Sequence, residues 1–250
     1  MNSVLIRFYG ELNDLISPEL RQTTFKHCFN GQPSIKDLVE SIGVPHTEID
    51  FILVNGESVD FSHQITGGEQ ISVYPAFTQL DLDAETKMRP ELPELKFLLD
   101  NHLGKLTSYL RMVGFDAVNL RDLPQGRQTV SESFKDRILL TRDKNLLKRK
   151  QVIHGYFVRN RDPEKQLIEV MNRFKLMNAL HPFGRCMICN DLLTPVSKDV
   201  INDRLPDLVR KSYLDEFYLC SGCGRLYWKG THYAHMNQFI SEIRRKTSET

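Results

Sequence analysis

The sequence predicts an α/β protein in three parts: a small α+β module, a parallel-sheet α/β domain, and a metal-binding ribbon ending in a helix. Three observations predict it. Residues 1–78 read strand, strand, helix, strand, strand; apolar strands alternate with helices from Lys96 to Phe174; four of the five cysteines fall into two Cys-x-x-Cys pairs. The expected boundaries are 1–78, a linker at 79–94, the α/β domain at 95–180 and the ribbon with its helix at 181–250.

In the first module, alternation in Val4-Leu5-Ile6-Arg7-Phe8 marks a strand, and Thr24 to Phe29 a second one. Ser34 is an N-cap for a short helix in which Ile35, Leu38, Val39 and Ile42 share one face, and Gly43 stops it. Phe51 to Val54 is a buried strand ended by the turn pair Asn55-Gly56, and Ile71 to Tyr74 is the last strand before Pro75. The lone Cys28 is expected to be a small core residue.

The acidic stretch from Thr78 to Glu94, broken by Pro90 and Pro93, reads as the linker. Beyond it come the strand Lys96 to Leu99, a helix from about His102 to Val113, a strand at Ala117-Val118, and a weak helix near Val130 to Phe134. Arg137 to Thr141 and Val152 to Val158 are strands, and Asp162 caps a helix over Pro163 to Phe174.

A formal net charge of +1 over 250 residues excludes a globally basic coat, so any nucleic-acid contact must be a local patch. No apolar run reaches the roughly 18 to 20 residues of a membrane span, and the first residues lack a signal peptide's basic and apolar regions. With the paired cysteines, this predicts a cytoplasmic protein with no membrane partner.

Ligands of open parallel sheets bind beyond the carboxyl ends of the strands. Asp100 directly follows Phe97-Leu98-Leu99, and Asp143 closes Leu139 to Asp143. Two such carboxylates suit Mg2+ or Mn2+, which take oxygen ligands and activate water against a phosphate ester. Basic residues surround them: Arg142, Lys144, Lys148, Arg149 and Lys150 by Asp143, Lys105 and Arg111 after Asp100. Such charges hold phosphates, although the same pattern also describes a solvated helix face and strand-end caps.

Cys186-x-x-Cys189 and Cys220-x-x-Cys223, separated by 30 residues, offer four thiolates to one tetrahedral Zn2+. A closed four-sulfur site leaves no position for water, so its role is structural. His232 and His235 are therefore surface or substrate-facing residues rather than ligands. Tyr227, Trp228 and Tyr233, beside Arg225 and Lys229, either stack on bases and hold phosphates or pack the ribbon's own core. The stretch from Phe239 to Lys246 is a terminal helix with a basic end.

Two resemblances add to this reading. The order of the first module, with Val54-Asn55-Gly56-Glu57 and Gly67-Gly68-Glu69-Gln70-Ile71, resembles the β-grasp of ubiquitin-like and sulfur-carrier proteins. Carrier chemistry requires a free C-terminal Gly-Gly, whereas this chain runs on through Phe77, so the module is expected to dock a protein partner or stabilise its neighbours. The second resemblance covers 95 to about 237. Phe97 to Leu106 with Tyr109 to Asp116, then Arg137 to Leu147, then Arg185 to Asn190 with Cys220 to Tyr233, resemble three ordered motifs of the PIN-like ribonuclease family named after the C-terminal domain of the Mut-seven exonuclease.

That resemblance implies a PIN-like fold, metal-dependent cleavage of RNA, and Asp100 and Asp143 as two of the acidic positions. Arg111, Arg142 and Lys144 would orient the phosphate. Family members place another aspartate at the start of the helix before the Arg-Ile-Leu-Leu strand. This chain reads Leu123-Pro124-Gln125-Gly126-Arg127 there, leaving Asp122 or Glu132 to stand in. The alternative function is a non-catalytic RNA-binding or adaptor protein with a degenerate site.

Overall fold

The structure, a computed structural model, describes residues 1–75, 94–123 and 127–248, the side chains of 127–130 and 248 excepted. The expected linker, 79–94, falls outside them but for Glu94. The chain divides into two compact units: Met1–Glu94 with Pro124–Phe157, and Leu95–Leu123 with Val158–Thr250.

In the first unit, β1 (Asn2–Phe8), β2 (Phe25–Phe29), α1 (Ile35–Ile42), β3 (Ile49–Val54), β4 (Glu57–Ser58) and β5 (Gln70–Pro75) form the N-terminal module. Its sheet is ordered β2-β1-β5-β3-β4, with β1 and β5 parallel in the centre and the remaining pairs antiparallel. This is the mixed sheet of a β-grasp. Ser34 accepts the Asp37 N–H at 3.1 Å and donates to its carboxylate at 2.7 Å, which starts α1, and Gly43 ends it at φ 121°. Ile35, Leu38 and Val39 on one face of α1 pack with Val4, Ile6, Phe8, Ile52, Ile71 and Val73, all buried. Asn55 and Gly56, both at positive φ, turn β3 into the short β4, which the sequence reading had not resolved. Gly67 and Gly68 form a turn ahead of β5, where the Glu69 carboxylate accepts the N–H groups of Thr66 at 2.7 Å and Gly67 at 2.8 Å.

Cys28 is exposed, a correction to the expected core position. Alternation along β2 sends Lys26 and Cys28 outward and buries Phe29, so the phase of the strand overrides the apolar character of the thiol.

The same unit holds α3 (Arg127–Asp136), β8 (Ile138–Thr141), α4 (Lys144–Leu147) and β9 (Gly155–Phe157). β8 and β9 pair in parallel, Leu139 opposite Gly155 and Thr141 opposite Phe157. Gly155 lets β9 pass close to its neighbours: a Cβ would stand 2.6 Å from Leu147 Cδ2 and 3.3 Å from Thr47, so a larger residue would have to push the Leu147 side chain aside. Phe157 packs against the module's core and its N–H donates to the buried Glu48 carboxylate at 2.5 Å. His46 reaches the same segment: Nδ1 lies 2.6 Å from Glu40 Oε1 and Nε2 2.9 Å from the Val152 carbonyl.

In the second unit, β6 (Lys96–Leu99) and β7 (Asp116–Asn119) pair in parallel, Leu99 opposite Asn119, joined by α2 (Gly104–Met112). Asp162 caps α5 (Pro163–Arg173) through the N–H groups of Glu164 and Lys165. α5 packs on α2 and on α8 (Thr231–Ser248), and the Tyr109 and Phe239 rings meet with centroids 4.8 Å apart. α8 starts eight residues before the expected Phe239, directly after Gly230. Gly114, at φ 104°, allows residues 181–183 to cross the end of α2, since a Cβ would stand 2.3 Å from the His181 carbonyl oxygen.

The ribbon consists of β10 (Leu193–Val196), β11 (Phe217–Cys220) and β12 (Leu226–Trp228) in one antiparallel sheet, with α6 (Lys198–Ile201) and α7 (Asp207–Arg210) between the first two strands. Ile201, Leu205 and Phe217 form its core, with Leu226 and Trp228 packed against them. No helix among the described residues is long and apolar enough to cross a membrane.

Candidate metal centre and strand-end carboxylates

The four ribbon cysteines converge. The Arg185–Leu192 bridge and the Cys186 N–H bond to Asp191 O at 2.8 Å fold the first pair into a knuckle, and Asn190 at φ 75° turns its tip. The second pair turns at Gly224, φ 68°, whose N–H bonds to Cys220 O at 3.0 Å. All four sulfurs lie within 4.8 Å of one another, with Cys186 to Cys223 at 3.6 Å and Cys189 to Cys220 at 3.2 Å. A tetrahedral ion with bonds of ~2.3 Å would need sulfur separations of about 3.8 Å. The cluster therefore fits a structural metal ion, and is consistent with zinc.

Cys186 is buried, which by itself would raise its thiol pKa. Hydrogen bonds from the Tyr227 hydroxyl at 3.1 Å and from the N–H groups of Cys189 and Ile188 outweigh burial and bring it down to about 6. Burial, joined by the sulfurs of Cys220, Cys223 and Cys186, pushes Cys189 up to about 12. One thiolate is thus favoured and its neighbour opposed, as expected of closely spaced sulfurs that would each carry a negative charge. His232 and His235 are both exposed on α8.

The first knuckle is anchored to β7 by two side chains. Arg111, buried on α2, donates from Nε to Ala117 O at 2.7 Å and from Nη1 to the carbonyls of Met187 at 3.2 Å and Ile188 at 2.7 Å. Its Nη2 stands 3.5 Å from Asp122 Oδ2. Asn190 accepts the Ala117 N–H at 3.0 Å and donates to Asp116 at 2.8 Å.

Asp100 and Asp122 follow the carboxyl ends of two parallel neighbours, β6 and β7. Asp100 is 5% exposed, and its Oδ1 accepts the His102 N–H at 2.7 Å. Asp122 is exposed, with Arg111 and Arg121 each 3.5 Å from one of its oxygens. Between them is a residue the sequence reading missed: Asn119, fully buried, donates to Asp100 O at 3.0 Å and accepts the Arg121 N–H at 3.2 Å, so it ties the two strand ends together. A lone asparagine at a strand terminus offers no pattern by which it could have been found.

In the other unit, Asp143 is exposed two residues beyond β8. Its Oδ1 caps α4 through Asn145 N at 2.8 Å, and its N–H donates to Thr141 Oγ1 at 2.9 Å. Arg142 is half-buried and Glu132 exposed on α3. Lys144 donates to Leu15 O at 2.6 Å, with its ammonium 5.8 Å from the Phe157 ring centroid, and Lys148 donates to Glu40 O at 2.5 Å. Both lysines of α4 and its C-terminus thus engage the N-terminal module. Of the stretch from Leu123 to Thr129, where the family resemblance implies an acidic position, only Leu123 has a described side chain.

Comparison with known proteins gives two family-model matches: one described as the Mut7-C RNAse domain over residues 95–240, and one described as Mut7-C ubiquitin over residues 1–81. No curated protein matches the chain. Among solved structures, SAMP1 from Haloferax volcanii aligns at 14% identity over 31% of this chain and 98% of its own, with a TM-score of 0.24, too low to bear on the fold.

Proposed function

Because the chain belongs to the Mut7-C RNase family, with that family's ubiquitin-like module ahead of the nuclease domain, we propose that it is a metal-dependent ribonuclease. The family assignment supports nuclease function of the PIN-like kind; the metal, the ligands and RNA as substrate belong to the proposal. The observation that carries it is the position of the buried Asp100 and of Asp122 after β6 and β7, adjacent parallel strands beyond whose carboxyl ends such folds bind their ligands.

Asp100 and Asp143 are the proposed ligands of Mg2+ or Mn2+, with Asp122 rather than Glu132 as the additional acid. All are oxygen donors, the set these ions take. A bound ion supplies charge neutralisation at phosphorus and a water of lowered pKa. Asn119 fixes the main chain at Asp100, and Arg111 positions Asp122. Arg142 is the residue proposed to meet the phosphate. The ribbon ion is proposed to be Zn2+ with a structural role. The N-terminal module is proposed to brace the segment that carries Asp143, and to offer a surface to a protein partner.

A non-catalytic RNA-binding or adaptor role is the second reading. One observation favours it: Arg111 and Lys144, both expected at the phosphate, donate to main-chain carbonyls. Incubation of the purified chain with single-stranded and hairpin RNAs, with Mg2+ or Mn2+, separates the two. Cleavage that falls at least about a hundredfold in both Asp100→Asn and Asp143→Asn supports the nuclease. Binding without cleavage under every divalent ion supports the adaptor.

A further inference from the structure

The three-stranded ribbon sheet has two faces with different surroundings. Phe217, paired with Trp228 across β11 and β12, is buried in the core made with Ile201 and Leu205, and Trp228 packs against that core. The next pair, Tyr218 opposite Tyr227, points to the other face. There the two rings line a cleft with Phe183, Tyr233 and Trp228, and the lining also includes Arg185 and Lys229 but no carboxylate. The five rings are each only half-buried.

From this cleft we propose a nucleobase-binding site on the ribbon, which stacks a base of single-stranded RNA on its aromatic rings and takes the phosphate on Lys229 and on the guanidinium of Arg185, whose Nη1 donates to Asn190 O at 3.0 Å. The proposal rests on the reading of RNA as substrate and adds a place where the strand is held away from the strand-end carboxylates. Flat aromatic walls accept the π-face of any base, and cations at the lining suit the phosphate that every base carries with it. The platform is preorganised. The Tyr227 hydroxyl is bonded to Cys186 Sγ at 3.1 Å, and the Tyr233 ring is held by Phe183 at 4.6 Å between centroids, with the Lys229 ammonium 5.9 Å from its own centroid. Lys229 also pairs with Glu216, but both side chains are well exposed, and an exposed pair of this kind opens to a phosphate at little cost.

The test measures binding of a ten-nucleotide oligoadenylate and of an abasic oligomer of the same length to the full chain, without added Mg2+ or Mn2+. Wild type is expected to bind the base-bearing strand at least about fivefold more tightly than the abasic one. Tyr233→Leu and Tyr218→Leu, which keep apolar bulk and lose the flat ring, are each expected to erase most of that difference while retaining bound metal; Tyr233→Phe retains it. Equal binding of the two oligomers by wild type, or a leucine variant with metal retained that still discriminates, overturns the base site while leaving the nuclease reading intact. Failure of the wild type to bind either oligomer overturns the site together with RNA as the substrate. Loss of cleavage in Asp100→Asn with discrimination preserved supports two separate elements.

Discussion

Arg111 Nη2 faces Asp122 Oδ2 at 3.5 Å while Nη1 of the same guanidinium holds the Met187 and Ile188 carbonyls, so one buried side chain spans the metal knuckle and a strand-end carboxylate. A planar five-donor head can do this, and an ammonium cannot. Arg111→Lys is therefore expected to destabilise the chain by roughly 3 kcal/mol and to speed metal loss to a chelator. Denaturant unfolding and the rate of metal release measure both. Unchanged stability with reduced cleavage would return Arg111 to the phosphate.

The four-cysteine cluster should carry about one Zn2+ per chain. Cys186→Ser and Cys220→Ser are expected to abolish it and to unfold the ribbon, because two buried sulfurs supply its centre. Elemental analysis of protein purified without chelators reads the first effect and proteolysis within 186–228 the second. Reduced, folded and metal-free wild-type protein would remove the assignment.

Asp122→Asn is expected to lower turnover by at least about tenfold, and Glu132→Gln by less than about twofold, since Asp122 follows a strand paired with the one that precedes Asp100. Unfolding curves for both variants are needed, because Asp122 also pairs with Arg111. The reverse order of effects would assign the additional acid to α3.

The ring nitrogens of His46 lie against two oxygens, Glu40 Oε1 and the Val152 carbonyl. His46→Leu leaves the carbonyl and the half-buried carboxylate without this partner. The expected cost is about 2 kcal/mol, with faster amide exchange across 152–157. Exchange that changes only within residues 1–75 would show that the bond to Val152 contributes nothing.

What was legible in the sequence was what local spacing encodes. The caps Ser34 and Asp162 appear where a short polar residue precedes an apolar period, and the cluster sulfurs appear because each knuckle is a four-residue unit. Long-range polar bonds leave no such trace. Nothing near Arg111 announces carbonyls at Met187 and Ile188, and nothing near Lys144 or Lys148 announces Leu15 and Glu40. Basic residues beside an aspartate read as phosphate contacts by composition, whereas two of these lysines serve as donors to main chain. Cys28 failed for a different reason: the residue type argued for burial, and only the phase of β2 could place it outside.

The two units interleave along the chain, and this has a consequence for biosynthesis. Residues 1–94 cannot complete their unit until Phe157 has left the ribosome, and Leu95–Leu123 must wait, with β6 and β7 made, for the segment after Val158. At about 5–20 residues per second, the intervening Pro124–Phe157 takes on the order of a few seconds to synthesise. During that delay Phe97 of the apolar strand Phe97-Leu98-Leu99 lacks the Phe174 ring that it meets at 5.6 Å between centroids in the finished unit, so nascent chains stalled between 124 and 157 should be the species that chaperones bind most.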